Sequence, residues 1–241
     1  MLKKLNDWSS FTLFQKIFIV FFVIGAFLIF ISPVILNEGI KGVFSFNNIV
    51  GFIIAITGIY VSIYQARAEV RIYYFWIINT IGLVYIYWIS NLYGLFMSTL
   101  FIMLPIIIYG FYSWSKHTHN KDTDQISIKR FSPFTAGITL AITIILCILY
   151  AIFLQHITYI FSLVNIKVAA DAQPITDSIT TIGTVVGIYL TAKRSMESWY
   201  CWIAVDTIGV YIFAIQALNT HYTLEEVIYN LNTLLTYAQY A

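Results

Sequence analysis

Two stretches of the chain repeat each other: Trp76-Ile77-Ile78-Asn79-Thr80-Ile81-Gly82 and Trp202-Ile203-Ala204-Val205-Asp206-Thr207-Ile208-Gly209, the second longer by one residue. Outward from them the match continues in the same order. Gly58-Ile59-Tyr60 recurs as Gly187-Ile188-Tyr189, and Arg67 recurs as Arg194. Repeated units build many helical membrane folds, so the relation between the two copies sets the architecture. Read this way, Asn79 is the repeat equivalent of Asp206.

The surrounding chain confirms the solvent. Of 241 residues, 60% are hydrophobic, 18% aromatic and 10% charged, whereas a soluble domain is about 45–50% apolar and about 25% charged. This composition excludes a soluble globular enzyme. Four prolines, twelve glycines and no low-complexity tract exclude disordered and collagen-like chains. A net charge of +2 is too small for a nucleic-acid binder. Cys147 and Cys201 lie inside apolar runs, where a thiol acts as a small hydrophobe. Lys3 and Lys4 precede an apolar run as in a signal peptide, yet Lys16 delays that run and no small-x-small site follows, so a retained helix is expected.

Apolar stretches between polar punctuation fall at 17–36, 48–65, 72–90, 94–114, 134–161, 175–192, 198–218 and 223–240. Each is near the ~20 residues a membrane helix needs. Eight spans place Lys3, Lys4, Lys16, Arg67, Arg71, Lys116, Lys121, Lys129, Arg130, Lys193 and Arg194 on one side and only Lys41 and Lys167 on the other. Short cytoplasmic loops collect basic residues, so both termini are expected in the cytoplasm and the protein in the inner (cytoplasmic) membrane. Trp8, Trp88 and Trp114 fall near span ends and read as interface anchors. The polar stretch 115–133 reads as a cytoplasmic loop, in which His117 and His119 lack the further ligands of a metal site. No metal or cofactor is expected.

Four spans separate equivalent helices, an even number, so the two units share one orientation. The expected fold is an all-α membrane domain of eight transmembrane helices. Repeat 1 spans 48–114, a linker helix 134–161, and repeat 2 175–240, with an extra N-terminal helix at 17–36. This three-plus-one-plus-three core is the parallel-repeat plan of the SWEET sugar transporters.

Particular residues also resemble a family. Tyr74-Phe75-Trp76-Ile77-Ile78-Asn79, Leu92-Tyr93-Gly94 and Tyr109-Gly110-Phe111-Tyr112-Ser113-Trp114 are similar to the first half of PnuC-type vitamin transporters. Asp177-Ser178-Ile179-Thr180-Thr181, the basic turn Lys193-Arg194, and Glu197-Ser198-Trp199-Tyr200-Cys201-Trp202-Ile203 followed by Asp206 are similar to the second. The resemblance covers roughly residues 48–240. It implies facilitated diffusion of nicotinamide riboside, with a cytoplasmic kinase trapping the imported nucleoside by phosphorylation. Relatives carry thiamine or other vitamins. Two departures stand out: the stretch 233–241 lacks the Gly-aromatic-x-x-Trp ending common in the family, and Asp206 stands where some relatives have an amide.

Trp199, Trp202 and Asp206 fall at i, i+3 and i+7, placing two indoles and a carboxylate on one helical face. An intramembrane acid marks a functional site by default, and an indole attracts flat cations. Asn79 or Gln216 could read a carboxamide, and Glu226 with Asn230 could hold ribose hydroxyls. Asp177 and Thr181 share a polar stripe with Thr184 and Thr191 on the sixth span. Interhelical packing is the plainer alternative for each. No Walker motif, HExxH or Gly-x-Ser-x-Gly occurs, so passive transport is expected rather than catalysis. The rivals are an intramembrane hydrolase using Asp177 with Asp206, which depth disfavours, and a structural scaffold. The expected partners are a vitamin or nucleoside substrate, lipid and a functionally coupled cytoplasmic kinase, with a second copy of the chain left open and no nucleic acid.

Overall fold

A computed structural model describes residues 8–35, 39–89, 93–120, 125–163, 165 and 174–219. The chain is helical over most of this length. A short 3₁₀ turn, Trp8–Ser10, leads into α1 (Leu13–Phe30), whose first turn is closed by a capping box between Thr12 and Gln15. Two short pieces follow, α2 (Ser32–Ile35) and α3 (Gly39–Val43). Then come α4 (Phe46–Ala66), α5 (Ile72–Ile89), α6 (Tyr93–Ser98) and α7 (Leu104–Ser115), with a π-helical turn, Thr99–Met103, joining α6 to α7. A pair of short strands, β1 (Thr118–Asn120) and β2 (Gln125–Ile126), precedes α8 (Pro133–Gln155), α9 (Ile157–Ser162), α10 (Pro174–Ala192) and α11 (Ser198–Asn219).

Six segments among the described residues are long and apolar enough to cross a membrane: Leu13–Ile35, Phe46–Ala66, Ile72–Ile89, Phe96–Ser115, Pro133–Gln155 and Pro174–Ala192. They match the first six expected spans to within a few residues, except that the fifth is shorter. It breaks at His156, where the chain leaves helical geometry (φ −104°, ψ 8°) before α9 resumes. The expected seventh span coincides with α11, 22 residues long. The eighth, 223–240, lies outside the described residues. Together these make the protein an all-α, multi-pass membrane protein.

Apolar side chains face outward all along α1 and α8, where Phe14, Phe21, Leu140, Ile144 and Leu149 are exposed and Leu154 alone is buried in α8. In a bilayer such faces meet acyl chains, and the buried surface is reserved for helix contacts. The core is built where α4, α5 and α7 meet, from Ile59, Tyr64, Ile72, Tyr73, Trp76, Ile107 and Trp114. From α10, Ile188 joins the same cluster. α4 packs on α1 and α5, and α10 packs on α7, α8 and α11.

One end of the bundle collects most of the described basic residues. Arg67, just after α4, donates to the Ser10 carbonyl before α1 at 3.0 Å. Ile126 donates to the Ala68 carbonyl at 3.0 Å, and Lys129 donates to the Arg194 carbonyl at 2.8 Å. The start of α1, both hairpin turns and the loop after α7 therefore gather at one end. α1, α5, α8 and α11 lead away from it, and α4, α7 and α10 run toward it. The loop at 115–133 also carries strand pairing that period reading along the chain leaves unseen.

Candidate functional site

The hairpins α4–α5 and α10–α11 turn in the same way. Ala68 and Arg194 occupy the left-handed region (φ 52° and 62°). The next amides, of Glu69 and Ser195, reach back to the carbonyls of Tyr64 and Leu190 at 3.0 and 2.9 Å. Ile72 and Ser198 then open α5 and α11 with matching bonds to the carbonyls of Glu69 and Ser195. Equivalent residues thus differ by a constant offset of 126, from Ile72 to Ser198. Both helices run on as regular α-helix, so Trp76 corresponds to Trp202, Thr80 to Asp206 and Asn79 to Val205. Pairing Asn79 with Asp206 is therefore out by one residue. The extra residue that sequence identity places in the second copy has no counterpart in the backbone.

The two tryptophans at equivalent positions meet. Their ring centroids lie 6.1 Å apart at an interplanar angle of 58°, a tilted contact typical of aromatic pairs. The Trp202 indole N–H donates to Thr191 Oγ1 at 3.1 Å, across the α10–α11 hairpin. Its ring lies over Gly187, where an added Cβ would come within 3.2 Å of the indole. At Gly183 an added Cβ would come within 2.6 Å of Val205. Small residues on α10 thus let α11 approach closely enough to seat Trp202.

Trp114 needs correction. Expected as an interface anchor, it is only 4% exposed. Its N–H donates to the Thr191 carbonyl at 2.7 Å and its ring meets Tyr73 edge-on at 5.2 Å. Thr191 thereby receives two indoles, one on its backbone and one on its hydroxyl. Trp88, at 56% exposure, and Trp8, at 45%, keep the surface positions expected of them.

One turn beyond Trp202, Asp206 is 2% exposed, and its Oδ2 has no hydrogen-bond partner among the described residues. It stands about 12 Å along α11 from the basic end at 1.5 Å per residue. Its counterpart Thr80 is equally buried and donates to the Trp76 carbonyl at 2.7 Å. Asn79 turns to its own hairpin: its amide nitrogen donates to the Ile54 carbonyl at 2.8 Å and to Thr57 Oγ1 at 3.2 Å. Trp199 is half-buried in the first turn of α11, and Thr181 is half-buried on α10. Asp177 is exposed in the first turn of α10, about 10 Å of helix rise from the depth of Asp206. Gln216 lies on α11, with its side chain outside the described residues, as are Glu226 and Asn230.

The polar end is cross-braced. Glu69, fully buried, pairs with both Arg67 and Arg71. In the other turn Glu197 accepts from the Ser195 hydroxyl and from the Phe131 amide at 2.9 Å. Burial pushes the Glu197 carboxyl up, but the Ser195 hydroxyl, backbone amides and the nearby Arg130 outweigh it and hold the group below the usual carboxylate range. Burial lowers the Arg194 guanidinium, which donates to Ser127. Trp76, Thr80 and Thr57 were not singled out for the site by sequence reasoning. The signal for the first two was present: anchoring the repeat on Trp76 and Trp202 at one offset finds both.

Two like-oriented helical hairpins that meet through equivalent tryptophans, with a buried acid one turn deeper, define a multi-pass membrane protein of internal-repeat type. A profile of the nicotinamide mononucleotide transporter family matches residues 48–241, and the chain belongs to that family. It is similar to the nicotinamide riboside transporter PnuC of Neisseria mucosa, 22% identical over 181 residues that cover 74% of this chain and 64% of that protein. The Escherichia coli protein of the same name is 24% identical over 160 residues, covering 61% of this chain and 66% of its own length. The matched region thus spans just under two thirds of these relatives. The crystal structure of the vitamin B3 transporter PnuC shares the fold, with a TM-score of 0.65 at 20% identity over 98% of this chain and 93% of that one.

Proposed function

We propose that the protein carries nicotinamide riboside, or a closely related vitamin nucleoside, across the membrane by facilitated diffusion. Family membership supports the substrate class, and the Trp76–Trp202 contact carries the mechanistic reading. Equivalent residues of two like-oriented hairpins meet there, at the kind of repeat interface where such transporters hold their substrates. This reading goes with the eight-span, three-plus-one-plus-three plan expected from the sequence. The basic end faces the cytoplasm, in accord with the positive-inside rule, and both termini lie there in the inner membrane. Import becomes net accumulation when a cytoplasmic kinase phosphorylates the nucleoside.

The substrate is a flat cation with ribose hydroxyls. The Trp202 ring offers a stacking face to the cation, and the open valence of Asp206 complements its charge or accepts from a hydroxyl. Trp199 extends the aromatic wall. Gln216, Glu226 and Asn230 are the further polar positions of the second repeat offered to the carboxamide and ribose, while Asp177 and Thr181 line the approach from the far end. Asn79 acts by fixing α5 on α4, since its amide donors are already engaged. Binding calorimetry with nicotinamide riboside, thiamine and riboflavin, followed by uptake of each into liposomes, tests the assignment. Tight binding and uptake of nicotinamide riboside are expected; uptake of none by folded protein would return the scaffold reading.

A further inference from the structure

The short segment after β1 touches both hairpin turns at equivalent places. Ile126 donates to the carbonyl of Ala68, and three residues later Lys129 donates to the carbonyl of Arg194, the residue at the same offset in the other turn. Bridges link Glu69 with Gln125 and Lys129 with Ser195. A strap of seven residues thus joins the basic ends of α4–α5 and α10–α11.

Its two halves are attached by different physics. The Ile126 half is held by an apolar anchor: the side chain is 7% exposed within the core cluster, and β2 is paired to β1 at the end of α7. Ser127 donates to the His117 carbonyl at 3.4 Å, and the half from Ile128 to Phe131 is held chiefly by hydrogen bonds, with Phe131 half-buried. Met196 donates to the Lys129 carbonyl at 2.9 Å, Phe131 donates to Glu197, and Arg194 reaches Ser127. Lys129 and Met196 are exposed, so water can replace the bonds between them at small cost, whereas Arg194 on the hairpin side is 4% exposed. An apolar anchor in the core has no such substitute.

We infer that residues 125–131 form a latch across the basic end, fixed to the first hairpin at Ile126 and releasing the second hairpin at Lys129–Phe131 when the path opens on that side. The latch rests on the transporter reading given above. With the polar half seated, the turns at 67–71 and 193–197 are held together and passage at this end is closed. When it lifts, the second hairpin moves while the first keeps its strap.

The test uses the full chain with Cys147→Ala and Cys201→Ala as background. Lys129→Cys and Met196→Cys, both at exposed positions, are joined by a short cleavable thiol cross-linker. Cross-linking is expected to slow vitamin uptake into liposomes at least about tenfold, with recovery on reduction. Uptake at the unlinked rate would overturn the latch. Amide exchange on the unlinked protein supplies a readout free of substrate. Lys129, Phe131 and Met196 are expected to exchange at least about tenfold faster than Ile126 and Glu69. Equal protection in the two halves would overturn it as well. If the unlinked protein moves no vitamin at all, the transport reading fails, and the exchange pattern still decides whether the strap opens at this half.

Discussion

At Asp206 a carboxylate is buried with one oxygen lacking a partner among the described residues, an arrangement that costs stability unless a ligand completes it. If that ligand is a cationic ring, Asp206→Asn removes charge while keeping shape. Affinity for nicotinamide riboside should fall roughly 10- to 150-fold, the range of a charge-assisted bond at about 1.5–3 kcal/mol. Affinity for the uncharged dihydro analogue should change much less, and equal losses by calorimetry would detach Asp206 from the charge. Trp202→Ala should weaken binding roughly 5- to 150-fold, as loss of a stacking face worth about 1–3 kcal/mol implies. Trp202→Phe should retain part of it. Trp114 and Trp88 differ in burial, at 4% and 56% exposure, and so should differ in their effect on stability. Truncating the buried Trp114 opens a cavity and should cost about 3–5 kcal/mol, whereas Trp88→Ala should leave thermal stability in detergent nearly unchanged. A comparable loss at Trp88 would mean that its exposed face is covered in the folded protein.

The paired turns act as the structural joints. Glu197 is held ionised by the Ser195 hydroxyl, backbone amides and Arg130, so its folded pKa lies below the unfolded value. Its contribution is therefore present above the ordinary carboxylate pKa of about 4.3 and disappears as pH falls through the lower folded value. Glu197→Gln should lower the melting temperature at neutral pH, and the gap from the parent protein should narrow in the acid range. A gap independent of pH would assign the effect to packing. Sequence reasoning found these elements unevenly. The boundaries of the first four spans and the sixth agree closely because hydrophobic length is a local property, whereas the fifth ends early at His156. The register of the repeat slipped because apolar helices rich in Ile, Tyr and Gly align at several offsets, and only the turn geometry at Ala68 and Arg194 selects one. The strap was hidden because Gln125 to Lys129 pair with residues about 60 positions away in the chain, which no local period encodes. Trp114 was misplaced for a related reason: its partner Thr191 lies on another helix.

On the scale of the molecule, the basic residues at one end and Lys41 at the other make orientation testable. In a cysteine-free background, Lys41→Cys should react with an impermeant reagent added to intact cells and Lys116→Cys should not; the reverse pattern would invert the protein. In the proposed function, two like-oriented hairpins enclose a passive path for a vitamin nucleoside. Its most direct test is the plateau of labelled nicotinamide riboside in liposomes holding purified protein, without ATP or an ion gradient. Saturable entry is expected to stop when inside and outside concentrations are equal, with the same plateau after an ion gradient or ATP is added. Accumulation above the external concentration that depends on either one, or no protein-dependent entry, would contradict it.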